Sequence, residues 1–210
     1  GIELDNDGTS VARSGSIHDI SIKALTGVGL LLTDYSYVSL RDIAVVDGTK
    51  GLYIPNGTAL YQEFLYVDRC DFHSHTAYGI HIEAGTQTHL SDVNCAHCAT
   101  GMLIGGTGNA SLNDIFSSRL VVDNSTSYGI EVFADDAYIA RVRFSDTYLY
   151  MAGASAAEKA LYVHRSGSYV LGNATFDFLD IAKSGATAPT YAVDLSGASR
   201  ITLRDVRDVS

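Results

Sequence analysis

Gly79-Ile80-His81-Ile82 is one copy of a tetrad that returns along nearly the whole chain. Other copies are Gly29-Leu30-Leu31-Leu32, Gly51-Leu52-Tyr53-Ile54, Gly101-Met102-Leu103-Ile104 and Gly129-Ile130-Glu131-Val132. With alanine for glycine the series continues as Ala160-Leu161-Tyr162-Val163 and Ala192-Val193-Asp194-Leu195. The intervals run from 22 to 32 residues. A fixed core unit with variable insertions is the signature of a solenoid. One unit cannot bury its own apolar face, so each must stack on its neighbours.

Within each tetrad the apolar residues alternate, which is strand spacing. A second apolar pattern follows. It reads Ile17-His-Asp-Ile20, Leu40-Arg-Asp-Ile43, Leu90-Ser-Asp-Val93, Leu112-Asn-Asp-Ile115 and Leu203-Arg-Asp-Val206, with a looser Phe64-Leu-Tyr-Val67. Each unit therefore holds two or three short strands separated by turns. The spacing predicts an all-β, single-stranded parallel β-helix of about 7–8 coils. The asparagine ladder and Leu-x-x-Leu-x-Leu grammar of a leucine-rich horseshoe are absent. The only alanine-rich stretch, Ala152 to Ala160, falls in an insertion between coils.

The 210 residues, with 20 Gly, 2 Pro and no Trp, fit one β-rich domain spanning 1–210. The chain starts at Gly1, and Ile201 to Ser210 form a coil without a cap. Solenoid ends normally carry caps, so the chain is expected to be a fragment of something longer. No apolar run is long enough for a membrane-spanning helix, and no signal-peptide pattern is present. The formal net charge of −10 argues against nucleic acid and anionic membranes as partners.

Cys70, Cys95 and Cys98 are too few for a disulfide framework. Cys95-Ala-His97-Cys98 has metal-ligand spacing, but a second cysteine pair is missing. Buried thiols packing as small hydrophobes is the preferred reading, and no metal or cofactor is expected. Asn-x-Ser/Thr sequons begin at Asn56, Asn109, Asn124 and Asn173. They read equally as glycosylation sites or as turn chemistry.

In each tetrad the third residue faces outward. Along the stack these residues are Leu31, Tyr53, His81, Leu103, Glu131, Tyr162 and Asp194. Two positions further on, the outward column is Thr33, Pro55, Glu83, Gly105, Phe133, His164 and Ser196, with Arg165 beside it. Tyr78, Tyr128 and Tyr191 precede coils nearby. A stripe mixing aromatics, carboxylates and imidazoles suits sugar rings, which stack on aromatics while their hydroxyls bond to carboxylates. The candidate binding residues are Tyr53, His81, Phe133, Tyr162, His164 and Arg165. The same stripe also fits an interface between subunits, or an idle surface rich in tyrosine. For cleavage, the candidate carboxylates are Glu83, Glu131 and Asp135, with Asp136 adjacent. Glu83 and Glu131 lie on one face with backbones about 10–12 Å apart, within reach of an inverting glycosidase's geometry.

The Gly-Ile-x-Ile and Leu-x-Asp-Val units resemble the repeat of the right-handed parallel β-helix, pectate-lyase-like superfamily, over Ile17 to Val209. That superfamily spans pectin lyases, polygalacturonases, adhesins and phage tailspikes, so the resemblance speaks to fold more than to function. A pectate lyase's Arg-x-Pro-x-x-Arg segment is missing around Pro55 and Pro189, and no histidine lies between glycines as in a polygalacturonase. What remains is similar to a phage tailspike or tail-fibre β-helix. That resemblance implies a homotrimer on the virion tail that binds bacterial surface polysaccharide. It leaves open whether the chain only binds, cleaves as a hydrolase or lyase, or serves as a structural shaft. Outside a virion, an extracellular or cell-surface location is implied.

Overall fold

The computed structural model describes residues 2–4, 13–23, 26–33, 35–56, 62–106, 110–135, 137–166, 171–183, 185, 187, 192–196 and 199–209. Among them there is no helix. The strands in chain order are β1 (Ile2–Leu4), β2 (Arg13–Lys23), β3 (Val28–Leu32), β4 (Tyr35–Ile54), β5 (Gln62–Asp68), β6 (Asp71–Ile82) and β7 (Gly85–Ala96). They continue with β8 (Thr100–Gly106), β9 (Ala110–Ser125), β10 (Tyr128–Ala134), β11 (Ala137–Met151), β12 (Lys159–Arg165), β13 (Leu171–Lys183), β14 (Val193–Asp194) and β15 (Ile201–Asp208). Every pairing between them is parallel, and the strands stack as a β-solenoid of about six turns. The repeat count of seven or eight is higher because the end units are partial. β14, for example, pairs only through Val193 and Asp194.

Each coil has three faces. The first carries the tetrads: β3, the end of β4, the end of β6, then β8, β10, β12 and β14 pair in sequence. The second runs from β2 through the start of β4 to β5, β7, β9, β11, β13 and β15. The third is made by the remaining halves of the long strands, as where Ala44 pairs with Asp71 and Val121 with Tyr148.

The long strands bend at single residues held in the left-handed region. These recur every five residues: Tyr37, Asp42 and Asp47 in one coil, Phe64, Arg69 and Ser74 in the next. The following coils repeat this with Gln87, Asp92 and His97, then Asp114, Arg119 and Asn124. Their φ angles lie between 50° and 62°. Asp and Asn tolerate this region better than most residues, which explains the Leu-x-Asp-Val motif. Leu40-Arg-Asp42-Ile43 and Leu90-Ser-Asp92-Val93 mark the corner between second and third faces. Leu112-Asn-Asp114-Ile115 sits at an earlier corner, since Asp114 precedes Arg119 by five residues. Phe64 is likewise a corner residue, and the inward pair beside it is Leu65 and Val67.

The core is continuous along the axis. Ile80, Ile82, Val93, Ile130, Val132 and Val142 are all buried in it. Phe144 and Phe176 stack inside at 5.3 Å. Removing one full aliphatic side chain from water contributes roughly 1.5–3 kcal/mol. The tetrad glycines are required by close approach. A Cβ on Gly79 would lie 2.7 Å from the Gly101 carbonyl oxygen, and one on Gly101 would lie 2.7 Å from that of Gly129. All three cysteines are buried, with Cys70 and Cys98 donating to backbone carbonyls. Burial pushes the thiol of each of the three up from its usual range. Asn124 and Asn173 occupy left-handed positions, the turn role their sequons allowed. Asn109 and Pro189 lie outside the described residues.

Candidate functional site

Strand register assembles the stripe on the first face as its alternation implies. Leu31, Tyr53, His81, Leu103, Glu131, Tyr162 and Asp194 are successive partners. Gly105, Phe133 and His164 align in the neighbouring column. The side chains gather into two clusters rather than one even row.

The first cluster joins Tyr53, His81 and Glu83. The Tyr53 hydroxyl donates to Glu83 Oε2 at 3.0 Å, and the Asn56 amide donates to the same oxygen at 3.1 Å. His81 Nε2 lies between Glu83 Oε1 at 3.2 Å and the Gly105 carbonyl oxygen at 3.3 Å. A carboxylate and a carbonyl only accept, so Nε2 carries the proton and Nδ1 is left as a buried acceptor without a partner. Tyr53 stacks on the ring at 5.0 Å and Tyr78 tilts against it at 4.7 Å. His81 is therefore only 6% exposed, where the alternation placed it on an open surface. Burial, helped by the Lys50 ammonium, pulls its pKa down to about 4 against the pull of Glu83. Lys50 sits 3.2 Å over the Tyr53 ring, and burial lowers its pKa. Burial and then Glu83 push the Tyr53 phenol up to about 12.

The second cluster joins Glu131, Phe133, Tyr162 and His164. His164 Nε2 donates to Glu131 Oε1 at 2.9 Å. The imidazole is sandwiched by Phe133 at 4.3 Å and Tyr162 at 3.8 Å. Lys159 Nζ lies 3.5 Å over Tyr162. An imidazole and an ammonium this close to one ring centre must take opposite faces, so both faces of Tyr162 are occupied. Lys159 also pairs with Asp194 at 2.9 Å, and bonds from Ser196 and Lys159 hold that carboxylate low.

Between the clusters the columns change character. Leu103 is buried, and Gly105 has no side chain. Gly105 takes φ of 134°, and a Cβ there would overlap the Phe133 carbonyl. Phe133 meets His164 on one side and faces the Gly105 backbone on the other. Two coils back stands Glu83, whose side chain lies against Gly106: a Cβ there would be 2.8 Å from Glu83 Cγ. The backbones of Glu83 and Phe133 are two coils, about 9.6 Å, apart.

The candidate carboxylates do not converge. Glu83 bonds toward Tyr53 and Glu131 toward His164, which lie at opposite ends of the stripe. Asp135 accepts from Ser166 in the turn beyond the face. Arg165 is exposed at the edge, in register with Ala134. Asp136 and Tyr191 lie outside the described residues.

The second and third faces carry features that reading the tetrads alone misses. On the second face Ser39, Tyr66, His89, Phe116, Arg143 and Thr175 form one outward column. Tyr66 stacks on His89 at 5.2 Å and His89 on Phe116 at 5.2 Å. On the third face Tyr148 and Tyr150 border a hollow with Asn94, Val121 and Asp123. Applying the outward-position rule to Tyr66-Val67, His89-Leu90 and Phe116-Ser117 would have found the first of these.

Among the described residues no three His, Cys, Asp or Glu side chains gather as a metal site. Comparison of the chain with protein-family models, curated proteins and solved structures finds no match.

Proposed function

We propose that this solenoid is the glycan-binding part of a phage tailspike or tail fibre, recognising bacterial surface polysaccharide along its first face. The observation that carries the reading is the niche between Glu83 and Phe133. It pairs an aromatic ring with a carboxylate two coils away, a backbone separation of about 9.6 Å, and Gly105 and Gly106 between them carry no side chains. A pyranose ring can lie its apolar side on Phe133 and turn hydroxyls to Glu83. The flanking clusters hold both walls: His164 and Tyr162 brace Phe133, while Tyr53 and His81 brace Glu83. Such bracing lowers the ordering cost of binding. The tail assignment rests on the repeat's resemblance to tailspike solenoids.

The test is oligosaccharide released from host surface polysaccharide, titrated into wild type and Phe133→Ala. The expected loss is roughly 1 kcal/mol or more in the variant. Equal affinity would overturn the niche.

Cleavage by the same stripe is a second reading, favoured by the Glu131–His164 pair at 2.9 Å. A carboxylate and an imidazole in contact can share acid and base duty. In that case Glu131→Gln abolishes release of reducing ends and largely spares binding. A wild type that binds without releasing reducing ends is an adhesin.

A further inference from the structure

In a parallel solenoid, side chains in one column stack face to face, so a ladder of aromatics hides its own ring faces. A face stays open only where the next residue in the column is small. On the second face that occurs at Tyr66, whose partner on one side is His89 and on the other Ser39. Tyr66 is 45% exposed. A hollow of about 520 Å³ opens here, bordered by Ser39, Arg41, Tyr66, Asp68, His89 and Ser91. A second hollow of about 280 Å³ adjoins it, sharing His89 and Ser91 and reaching Phe116, Ser118, Arg143 and Ser145.

The two hollows form one trough along the axis. Its aromatic wall is Tyr66, His89 and Phe116. Its floor is the register row Asp68, Ser91, Ser118 and Ser145. Beyond this row, at the corner, runs an exposed ladder in which Arg69 pairs with Asp42 and Arg119 with Asp92. Arg119 also donates to the floor hydroxyl of Ser91 at 2.9 Å. Ser117 borders the smaller hollow, where its carbonyl accepts from Ser145 Oγ at 3.5 Å, while its side chain faces the core in register with Leu90 and Phe144.

We propose that this trough is a second carbohydrate site, which takes an unbranched oligosaccharide lying along the solenoid axis. The floor carries a hydroxyl at three successive coils, Ser91, Ser118 and Ser145, about 4.8 Å apart. Hydroxyls donate and accept, so they match a ligand that is itself a row of hydroxyls. Tyr66 supplies the stacking platform at the end nearest Ser39. Arg41 and Arg143 stand at the two ends, each 3.4 Å from an aspartate and more than half exposed. They are thus free to swing onto the ligand. The site needs nothing from the stripe on the first face.

The test is a printed array of defined linear oligosaccharides, covering neutral hexose, N-acetylhexosamine and uronate chains, followed by calorimetry with the best binder. Ser118→Trp fills the floor from the solvent side, and Tyr66→Ala removes the platform. Each is made in wild type and in Phe133→Ala, with melting curves as the folding control. Both variants are expected to weaken binding roughly tenfold in the Phe133→Ala background, while Tyr66→Phe retains it. If Ser118→Trp fails to fold, Tyr66→Ala decides alone. Unchanged affinity in Tyr66→Ala overturns the trough. Loss of all binding in Phe133→Ala alone overturns it too, leaving the first-face niche standing. A wild type that binds nothing on the array also overturns it.

Discussion

Ile82 and Glu83 are adjacent in the chain, yet one is fully buried and the other belongs to the outer stripe. That alternation was legible in the sequence, because strand geometry allows no other reading of Gly-apolar-x-apolar. Ile82→Asp places a charge in the continuous core and forfeits about 1.5–3 kcal/mol of aliphatic burial as well. It is expected to prevent folding, while Glu83→Ala leaves a cooperative thermal transition near that of wild type. Equal melting of the two variants would refute the register. His81 was not legible in the same way. Its outward position is set by its own strand, but its burial comes from Tyr53 one coil earlier and from Tyr78 of its own strand. Its folded-state pKa of about 4 lies below the ordinary 6.5. The unfolded chain therefore binds the proton first. The stabilising contribution is complete above pH 6.5 and is lost as pH falls from 6.5 toward 4. Burial depresses His75 in the same direction. Chemical denaturation across this window should show a shallower loss of stability in His81→Gln than in wild type. An unchanged slope would mean the ring is not held neutral.

At the scale of the strand, the corners explain most of what the sequence pattern left ambiguous. A single left-handed residue every five positions puts an apolar residue two before and one after several different corners. Leu40-Arg-Asp-Ile43 and Leu112-Asn-Asp-Ile115 therefore look alike while marking different bends. Phe64 broke the pattern because an aromatic fills a corner there and stacks on Tyr37 at 4.3 Å. Asn173 holds φ of 56° at such a corner. Asn173→Val forces a β-branched residue into that region and should cost about 1–2 kcal/mol, while Asn173→Gly should be nearly neutral. Urea titration checks both, and equal midpoints for the valine and glycine variants would contradict the corner's role. The Arg–Asp ladder at the next corner is solvent-exposed. Such pairs add little to stability, so Arg119→Ala is expected to leave the melting temperature nearly unchanged.

For the molecule as a whole, the tetrads made the parallel stack legible because each one repeats a complete packing unit. The candidate site was only partly legible. The tetrads align Glu131 with Tyr162, and Phe133 with His164, through strand register. They do not reveal that Glu83 and Glu131 turn to opposite ends, since side-chain hydrogen bonds decide that. The tailspike reading carries an assembly expectation: light scattering of the full-length protein should give a trimer mass. A monomer would count against the tail assignment without touching the trough on the second face. That trough depends on a vacancy beside Tyr66, where Ser39 sits in place of another ring. A bulky residue at Ser39 would close this stacking place, and a small one at His89 would open the other side of Tyr66. Neither change alters an inward residue. Recognition can thus travel along the axis in increments of one coil, and such a surface can track a changing ligand through single codon changes while its core stays fixed.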